Sequence, residues 1–309
     1  MLHIGLDIGG TKTEVVVLAV EGDELYRQRS ATVTGSYPQF LAFVCQIISA
    51  LKTRFPVPLS IGIALPGSVS PLTGLIRNSN ILSINGQPLP RDLRQRLGWG
   101  VAIGNDANCF ALSEAVDGAG QSHDIVFGVT LGTGCGGGLV IGQQIIVGSN
   151  GNAAECGHNP LPGYSVDRDG PPSRCYCGQL NCAERFVSGT GLAQRFTLAT
   201  GIPATAREVI ALAARGEPAA VDRFELYLDQ LARLLASIIN LLDPGVIVLG
   251  GGLSNALAAR QDLAARVAEH VFTDQFTTRI VAAMHGDSSG VRGAAWIGRN
   301  RCADLGPEG

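Results

Sequence analysis

The sequence has no uninterrupted run of about 20 apolar residues, the length that a membrane-crossing helix requires. Its most apolar stretch, Leu231 to Leu249, is broken by Arg233, Asn240 and the triplet Asp243-Pro244-Gly245. A membrane partner is not expected. Positive charge is not in surplus either. Lys and Arg number 23 against 26 Asp and Glu, whereas binding to a phosphate backbone draws on a basic excess, so the composition argues against a nucleic acid partner. An export signal is also missing: Asp7 falls where such a signal needs its apolar core, and no basic stretch precedes it. The chain is therefore expected to be cytoplasmic, and its eight cysteines are expected to be thiols or metal ligands rather than disulfides. What remains is ample core material, 46% hydrophobic residues over 309 positions, enough for two domains of ordinary size.

Apolar periodicity switches repeatedly between strand and helix spacing. Ile4 to Ile8, the pair Gly9-Gly10, Thr13 to Ala19 and the turn Glu21-Gly22-Asp23 read as strand, glycine turn, strand and return. From Pro38 to Phe55 the residues Phe40, Leu41, Val44, Ile47, Ile48 and Leu51 form a helical stripe. Ser60 to Ala64 and Val101 to Ile103 are short β-rich runs separated by a turn-rich stretch, Pro66 to Pro90, and Ala107 to Val116 reads as a helix. Past the Gly/Ser-rich segment 118–122 the opening pattern returns as Ile125 to Leu131, a glycine cluster and Leu139 to Ile141. Gly10-Thr11 and Gly132-Thr133 lie in equivalent places, which points to a distant duplication. A long amphipathic helix, Val221 to Leu242, then leads into the strand Val246 to Leu249 and the glycines Gly250 to Gly252. Strands alternating with helices indicate an α/β fold.

Each glycine loop has two readings. Gly5-Leu-Asp-Ile-Gly9-Gly10-Thr11-Lys12 nearly spells a P-loop, but Lys follows Thr and a strand follows the loop. Gly132-Thr133-Gly134-Cys135-Gly136-Gly137 matches the Rossmann fingerprint by letter, but the β-rich Leu139-Val140-Ile141 stands where that motif needs a helix. Both are hairpins. Taken singly, either one is as well explained as a structural turn. Three glycine loops at strand ends together favour a nucleotide, with backbone N–H groups presented to phosphates. Asn105-Asp106 lies between a strand and a helix, where ligands of α/β sheets bind. Read from these residues alone, Asp106 is more often a helix cap than a base.

The segments DIGGTK (Asp7 to Lys12), LGTGCGGG (Leu131 to Gly138) and VIVLGGGLSN (Val246 to Asn255) resemble the phosphate-1, phosphate-2 and adenosine motifs of actin-like sugar kinases, specifically the ROK family. The resemblance runs from Ile4 to about Trp296. It implies an α/β fold of two actin-like (ribonuclease H-like) lobes around a cleft: 1–118 completed by a C-terminal helix 288–300, and 119–287 carrying a zinc-binding insertion. It implies ATP and Mg²⁺ as cofactors. The nucleotide would be held by Gly5, Asp7, Gly9, Gly10, Thr11 and Lys12, by Gly132, Thr133, Gly134, Gly136, Gly137 and Gly138, and by Gly251 and Gly252, with Asp7 facing magnesium through water. NDAN matches the family segment whose Asp is the catalytic base, here Asp106, and Asn105, Glu155, His158 and Glu184 match positions that hydrogen-bond sugar hydroxyls. A homodimer is also implied.

Cys175-Tyr-Cys177-Gly-Gln-Leu-Asn-Cys182, with His158 upstream, has the composition of a closed Cys₃His zinc site, structural rather than catalytic. The family pattern has Gly before the third Cys, where this chain has Asn181, the non-glycine residue that best tolerates the left-handed region. The loop Leu161 to Arg174 lacks apolar periodicity and is expected to depend on the metal for order. Cys45, Cys109, Cys135 and Cys302 read as small buried or incidental thiols, and Cys156 as superfluous to the metal.

A hexose is the expected acceptor. GHNPLP (Gly157 to Pro162), SEAVDG (Ser113 to Gly118), NGQPL (Asn85 to Leu89) and HGDSSGVRGAAW (His285 to Trp296) resemble the fructokinase/mannokinase branch, so fructose phosphorylated at its 6-hydroxyl is favoured. The stretch Asn105 to Ala115 looks equally like N-acetylglucosamine kinases, leaving that sugar, or broad mannose and glucose use, as the alternative. ROK proteins also include sugar-responsive regulators with an N-terminal helix-turn-helix, a reading disfavoured because the first strand begins by His3. A sugar sensor without catalysis is disfavoured by the presence of Asp106.

Overall fold

The computed structural model of the protein describes residues 1–258 and 260–305, and the side chains of 258, 287 and 301–305 lie outside that description. Cys302 is among these. The chain opens as expected with three antiparallel strands, β1 (Leu2–Ile8), β2 (Lys12–Leu18) and β3 (Glu24–Ala31). Helix α1 (Tyr37–Arg54) follows, and its stripe Phe40, Leu41, Val44, Ile48 and Leu51 is buried. β4 (Leu59–Leu65) pairs parallel to β1; a short hairpin, β5 (Ser68–Val69) and β6 (Ile76–Arg77), occupies the turn-rich stretch. Helix α2 (Leu89–Leu97) is not evident in the sequence. Its stripe is only three leucines long, Leu89, Leu93 and Leu97, of which the first two are buried, and it ends at a left-handed cap, Gly98. β7 (Ala102–Asn105) and α3 (Asp106–Asp117) close this part.

The second half repeats the plan. β8 (Ile125–Leu131), β9 (Cys135–Ile141) and β10 (Gln144–Ile145) are followed by α4 (Val166–Asp169), α5 (Glu184–Val187), α6 (Gly189–Thr200), α7 (Ala206–Ala214) and the long α8 (Pro218–Leu242). β11 (Val246–Gly250), α9 (Ser254–Ala258), α10 (Leu263–Ala268), β12 (Arg279–Ala282) and α11 (Ser289–Leu305) complete the chain. One sheet has the order β3-β2-β1-β4-β7 and the other β10-β9-β8-β11-β12. In each, three strands consecutive in the chain are extended by two parallel ones. Gly67 after β4 (φ +92°) and Gly251 after β11 (φ +82°) even share a left-handed backbone. The duplication inferred from two glycine turns is thus written in strand order and sense.

Two compact units result. One comprises Met1–Gln121, Leu139–Ala153 and the stretch from Asp287; the other comprises Ser122–Gly138 and Ala154–Gly286. The sequence reading took 119–287 as a single block, whereas Leu139–Ala153 returns to the first unit. The contacts responsible are distant in sequence: Asn300 Nδ2 donates to Gln143 O at 2.9 Å, and Arg77 donates to Asn150 O and to Asn152 Oδ1. No local pattern announces them.

In the first unit α11 packs backbone against backbone. Gly5 and Gly62, opposite one another in β1 and β4, both face it. A Cβ at Gly62 would stand 1.9 Å from Ala294 O, and one at Gly5 would stand 2.0 Å from Val291 O. On the same helix, Gly293 lies against α3, where a Cβ would meet Cys109 O at 1.7 Å. These are glycines of close approach rather than of flexibility.

Candidate functional site

Asn105 ends β7 in an extended conformation, and its Oδ1 accepts from the N–H groups of Ala107 (2.9 Å) and Asn108 (3.4 Å). Its Nδ2 donates to Gly67 O at 3.2 Å. The helix cap is therefore Asn105, so the competing role weighed for Asp106 is filled by its neighbour. Asp106, the first helical residue, remains solvent-accessible and accepts from the adjacent Ala107 N–H. Loss of hydration raises its pKa above the usual carboxylate value, against the opposing pull of the Ala107 N–H and the Asn105 side chain.

Asp7, at the end of β1, belongs to the same electrostatic field. Burial pushes its pKa up to about 6, the negative charges of Asp106 and Glu14 add to the rise, and Lys12 opposes it. Its carboxylate lies against Gly290 in the first turn of α11, where a Cβ would meet Asp7 Oδ2 at 2.7 Å. Sequence reasoning missed Gly290, because a glycine inside a helical run carries no sign of what presses on it. Two adjacent acids at strand ends form a donor set suited to a hard divalent cation held directly or through water.

The glycine loops divide into two groups. Gly9 N–H closes the first turn on Lys12 O (2.9 Å) and Gly132 N–H closes the second on Gly134 O (3.1 Å). Gly10, Thr11, Lys12, Thr133, Gly251 and Gly252 are exposed, and Gly9, Gly132, Gly134 and Gly136 are half-buried. Gly5, Gly137 and Gly138, expected to touch nucleotide, do not belong with them. All three are buried inside strands. Gly5 is held by α11, and a Cβ at Gly137 would lie 2.2 Å from Ala154 O. The letters of the motifs extend beyond the turns into strand residues whose glycines serve packing.

In the second unit Glu184, the first residue of α5, accepts from Cys135 N–H at 3.0 Å, tying it to the start of β9. A Cβ at Gly134 would meet Glu184 Oε2 at 2.6 Å. Glu155 is exposed just before a short 3₁₀ turn, Cys156–His158. His158 Nδ1 lies 3.7 Å from Cys175 Sγ, and Cys177 Sγ lies 3.5 Å from Cys182 Sγ. One ligand atom from each of these four residues falls within 4.8 Å of every other. Zn–S bonds of 2.3 Å in a tetrahedron place thiolates about 3.8 Å apart, so the set fits a zinc ion. Asn181 takes φ +59°, the left-handed backbone expected of it, and its Oδ1 accepts from Ser173 N–H. Cys156 and Cys135 are buried outside the set, Cys109 is buried, and Cys45 is half-buried. Tyr176, between two of the thiols, is a residue the sequence reading passed over; its OH lies 3.0 Å from His158 Nε2. Its position inside Cys-Tyr-Cys was the available signal.

The loop preceding the thiols does not rely on a metal alone, contrary to expectation. Asp169 is fully buried, and its Oδ1 accepts from Arg233 Nη2 (2.5 Å) and Gln230 Nε2 (3.0 Å) of α8. Arg195 Nη1 donates to the carbonyls of Asp169 and Pro171, and Arg233 Nη1 to that of Pro162. A buried ion pair with its remaining hydrogen bonds filled anchors the loop from below. Its residues are isolated polar ones, so apolar periodicity is blind to them.

The sequence pattern of the ROK family matches residues 3–301. An N-acetyl-D-glucosamine kinase of Citrobacter koseri is 40% identical over 299 residues, 96% of this chain and 99% of its own length. One from Escherichia coli O139:H28 is 39% identical over the same shares. Among solved structures, the ROK hexokinase of Thermus thermophilus aligns with TM-score 0.86 at 29% identity, covering 98% of this chain and 100% of that one. A ROK family glucokinase from Streptomyces griseus, in complex with glucose and AMPPNP, aligns with TM-score 0.72 at 29% identity over 97% and 100%. Among the described residues no helix is long and apolar enough to cross a membrane.

The Asp7 environment has a measurable consequence for the protein without nucleotide or added metal. A folded-state pKa of about 6 lies above the unfolded value of about 3.9, so ionising Asp7 costs stability as pH rises through that window, and the cost is complete above it. Asp7→Asn should therefore raise stability at pH 7 to 8, by no more than about 3 kcal/mol, and the gain should vanish below about pH 4. Urea unfolding at several pH values reads this directly; an equal effect at all pH values would refute the electrostatic reading.

Proposed function

Because the chain belongs to the ROK family and folds as two actin-like α/β lobes, we propose that it is an ATP-dependent sugar kinase whose preferred acceptor is N-acetyl-D-glucosamine. The observation that carries the catalytic part is the pairing of Asn105 as helix cap with a solvent-accessible, pKa-raised Asp106. The relatives of 39–40% identity carry the substrate part. They are named for N-acetyl-D-glucosamine, so the fructose favoured by the sequence motifs becomes the second choice.

In this reading Asp106 takes the proton of the sugar 6-hydroxyl as that oxygen attacks the γ-phosphorus; the bond from phosphorus to the bridging oxygen breaks and ADP leaves. A base whose pKa is raised toward the working pH accepts a proton more readily, and such groups contribute roughly 10² to 10⁴-fold. Gly9 to Lys12, Gly132 to Gly134 and Gly136 attend the phosphates, and Gly251-Gly252 the adenosine. Magnesium, when bound, neutralises charge on the transferring group. Asp7 is the residue that would hold it. Asn105, Glu155, His158 and Glu184 hydrogen-bond sugar hydroxyls, a polar set that discriminates against ligands lacking them.

We assign a structural zinc ion to His158, Cys175, Cys177 and Cys182. Nδ1 of His158 serves the metal, which leaves Nε2 for a hydroxyl: that of Tyr176 or that of the sugar. Four protein ligands leave no position for substrate, so phosphoryl transfer proceeds without the ion.

Coupled ADP release with N-acetylglucosamine, fructose, mannose and glucose tests the substrate. N-acetylglucosamine should have the highest kcat/KM, at least tenfold above fructose; a preference for fructose would reverse the assignment. Metal analysis tests the zinc. One zinc per chain is expected, with Cys177→Ala losing it and weakening sugar binding while ATP binding persists. Because Asp169 and Arg233 hold the loop independently, this variant should remain folded. A metal-free protein with full sugar affinity would remove zinc from the account.

A further inference from the structure

A cavity of about 280 Å³ lies wholly within the first unit, flanked by β7, the first turns of α3, β10 and the segment running to Gly151. Asn105 is part of its wall. The cavity thus begins one residue from Asp106, at the amide that is itself fixed by Gly67 and by the start of α3. Among the described residues no ionisable side chain lines it. Burying an unpaired ammonium, carboxylate or phosphate there would go uncompensated, so the occupant is neutral.

Its wall has two characters. Val69, Ile145 and Val147 give an apolar side, and the carboxamides of Asn108, Gln144 and Asn300 give a polar one beside Asn105, whose own amide is engaged by α3 and Gly67. Asn108 Oδ1 is buried with no hydrogen-bond partner. An orphaned buried acceptor costs about 1–3 kcal/mol; since this oxygen is closed to solvent with the cavity empty, a ligand N–H relieves it only if the Asn108 side chain turns toward the cavity. One N–H, one carbonyl and a short alkyl tail are what an N-acyl group presents. We propose that this cavity receives the N-acyl substituent of the sugar, with the acyl tail against Val69, Ile145 and Val147 and the amide among the three carboxamides. The proposal rests on the reading of the chain as an N-acetylglucosamine kinase and adds to it where specificity resides.

The size carries a second consequence. At roughly 30 Å³ for each water-sized group, the four heavy atoms of an acetamido group fill less than half of 280 Å³. Longer neutral acyl groups fit in the remainder. Propanoyl and butanoyl chains therefore extend along the apolar side, whereas a free amine in its protonated form meets no carboxylate.

The test is a set of kcat/KM ratios, measured within one preparation so that loss of folded enzyme cancels. Wild-type protein should accept N-acetyl-, N-propanoyl- and N-butanoyl-glucosamine within about tenfold of one another. Ile145→Trp, which fills the cavity, should lower the ratio of N-acetylglucosamine to glucose at least tenfold and that of the butanoyl sugar further. Ile145→Ala, which enlarges the cavity, should raise the ratio of butanoyl to acetyl sugar. If wild type phosphorylates N-acetylglucosamine but Ile145→Trp leaves its ratio to glucose unchanged, the acyl group binds elsewhere and the inference fails alone. If wild type phosphorylates glucose but not N-acetylglucosamine, the inference and the substrate reading both fail.

Discussion

Much of the first unit depends on the approach of α11 to β1, β4 and α3 at a distance that leaves no room for a side chain. Gly5 and Gly62 meet carbonyls of α11, and Gly293 meets the carbonyl of Cys109 in α3. A methyl group at any of these would have to displace backbone, which a close-packed interior resists. Gly290, near the start of the same helix, brings backbone against the Asp7 carboxylate. The strand that carries Asp7 near its end and the helix that begins with Asp106 are thus both packed against α11. Their mutual repulsion, felt in the raised pKa of Asp7, follows from a packing constraint made by glycines some distance from either acid.

Two ways of fixing functional groups are combined in one chain. In the first unit backbone and helix geometry do the work: Asn105 supplies the cap, Gly67 receives its amide, and desolvation of Asp106 outweighs the hydrogen bonds that favour its ionised form. In the second unit polar side chains do it. Glu184 is tied to Cys135 N–H, and the loop before the thiols is fastened by Asp169 to Arg233 and Gln230. A metal in the Cys₃His set would act on a loop already anchored from the other side. Ordering of the loop and coordination of an ion by the Cys₃His set would therefore be separable.

Much of this was legible in the sequence because it is periodic or stereochemically forced. The stripe of α1, the alternation of β1 and β2 and the spacing of the thiols each announce their element. Asn181 was read as able to replace a glycine, and it adopts the left-handed backbone. What escaped has no local signature. Helix α2 offers only three leucines four residues apart in a nine-residue element, and the return of Leu139–Ala153 to the first unit depends on contacts from Arg77 and Asn300. The glycine letters extend past the turns: Gly5 and Gly137 belong to motifs by spelling, yet only a neighbour distant in the chain reveals that they serve packing, and Gly138 is buried within the same strand as Gly137. The role of Asn105 shows the reverse case, since the choice between cap and base at adjacent residues is made by the direction of one side chain.

The account turns on Asp106 acting as the base rather than as a structural residue, and comparing turnover with binding in a single variant separates the two. In Asp106→Asn the Asn105 cap is untouched, so ATP and N-acetylglucosamine should bind with affinities within a few-fold of wild type by calorimetry while kcat falls by about 10² or more. Retained turnover in a variant that binds both ligands normally would contradict the central claim.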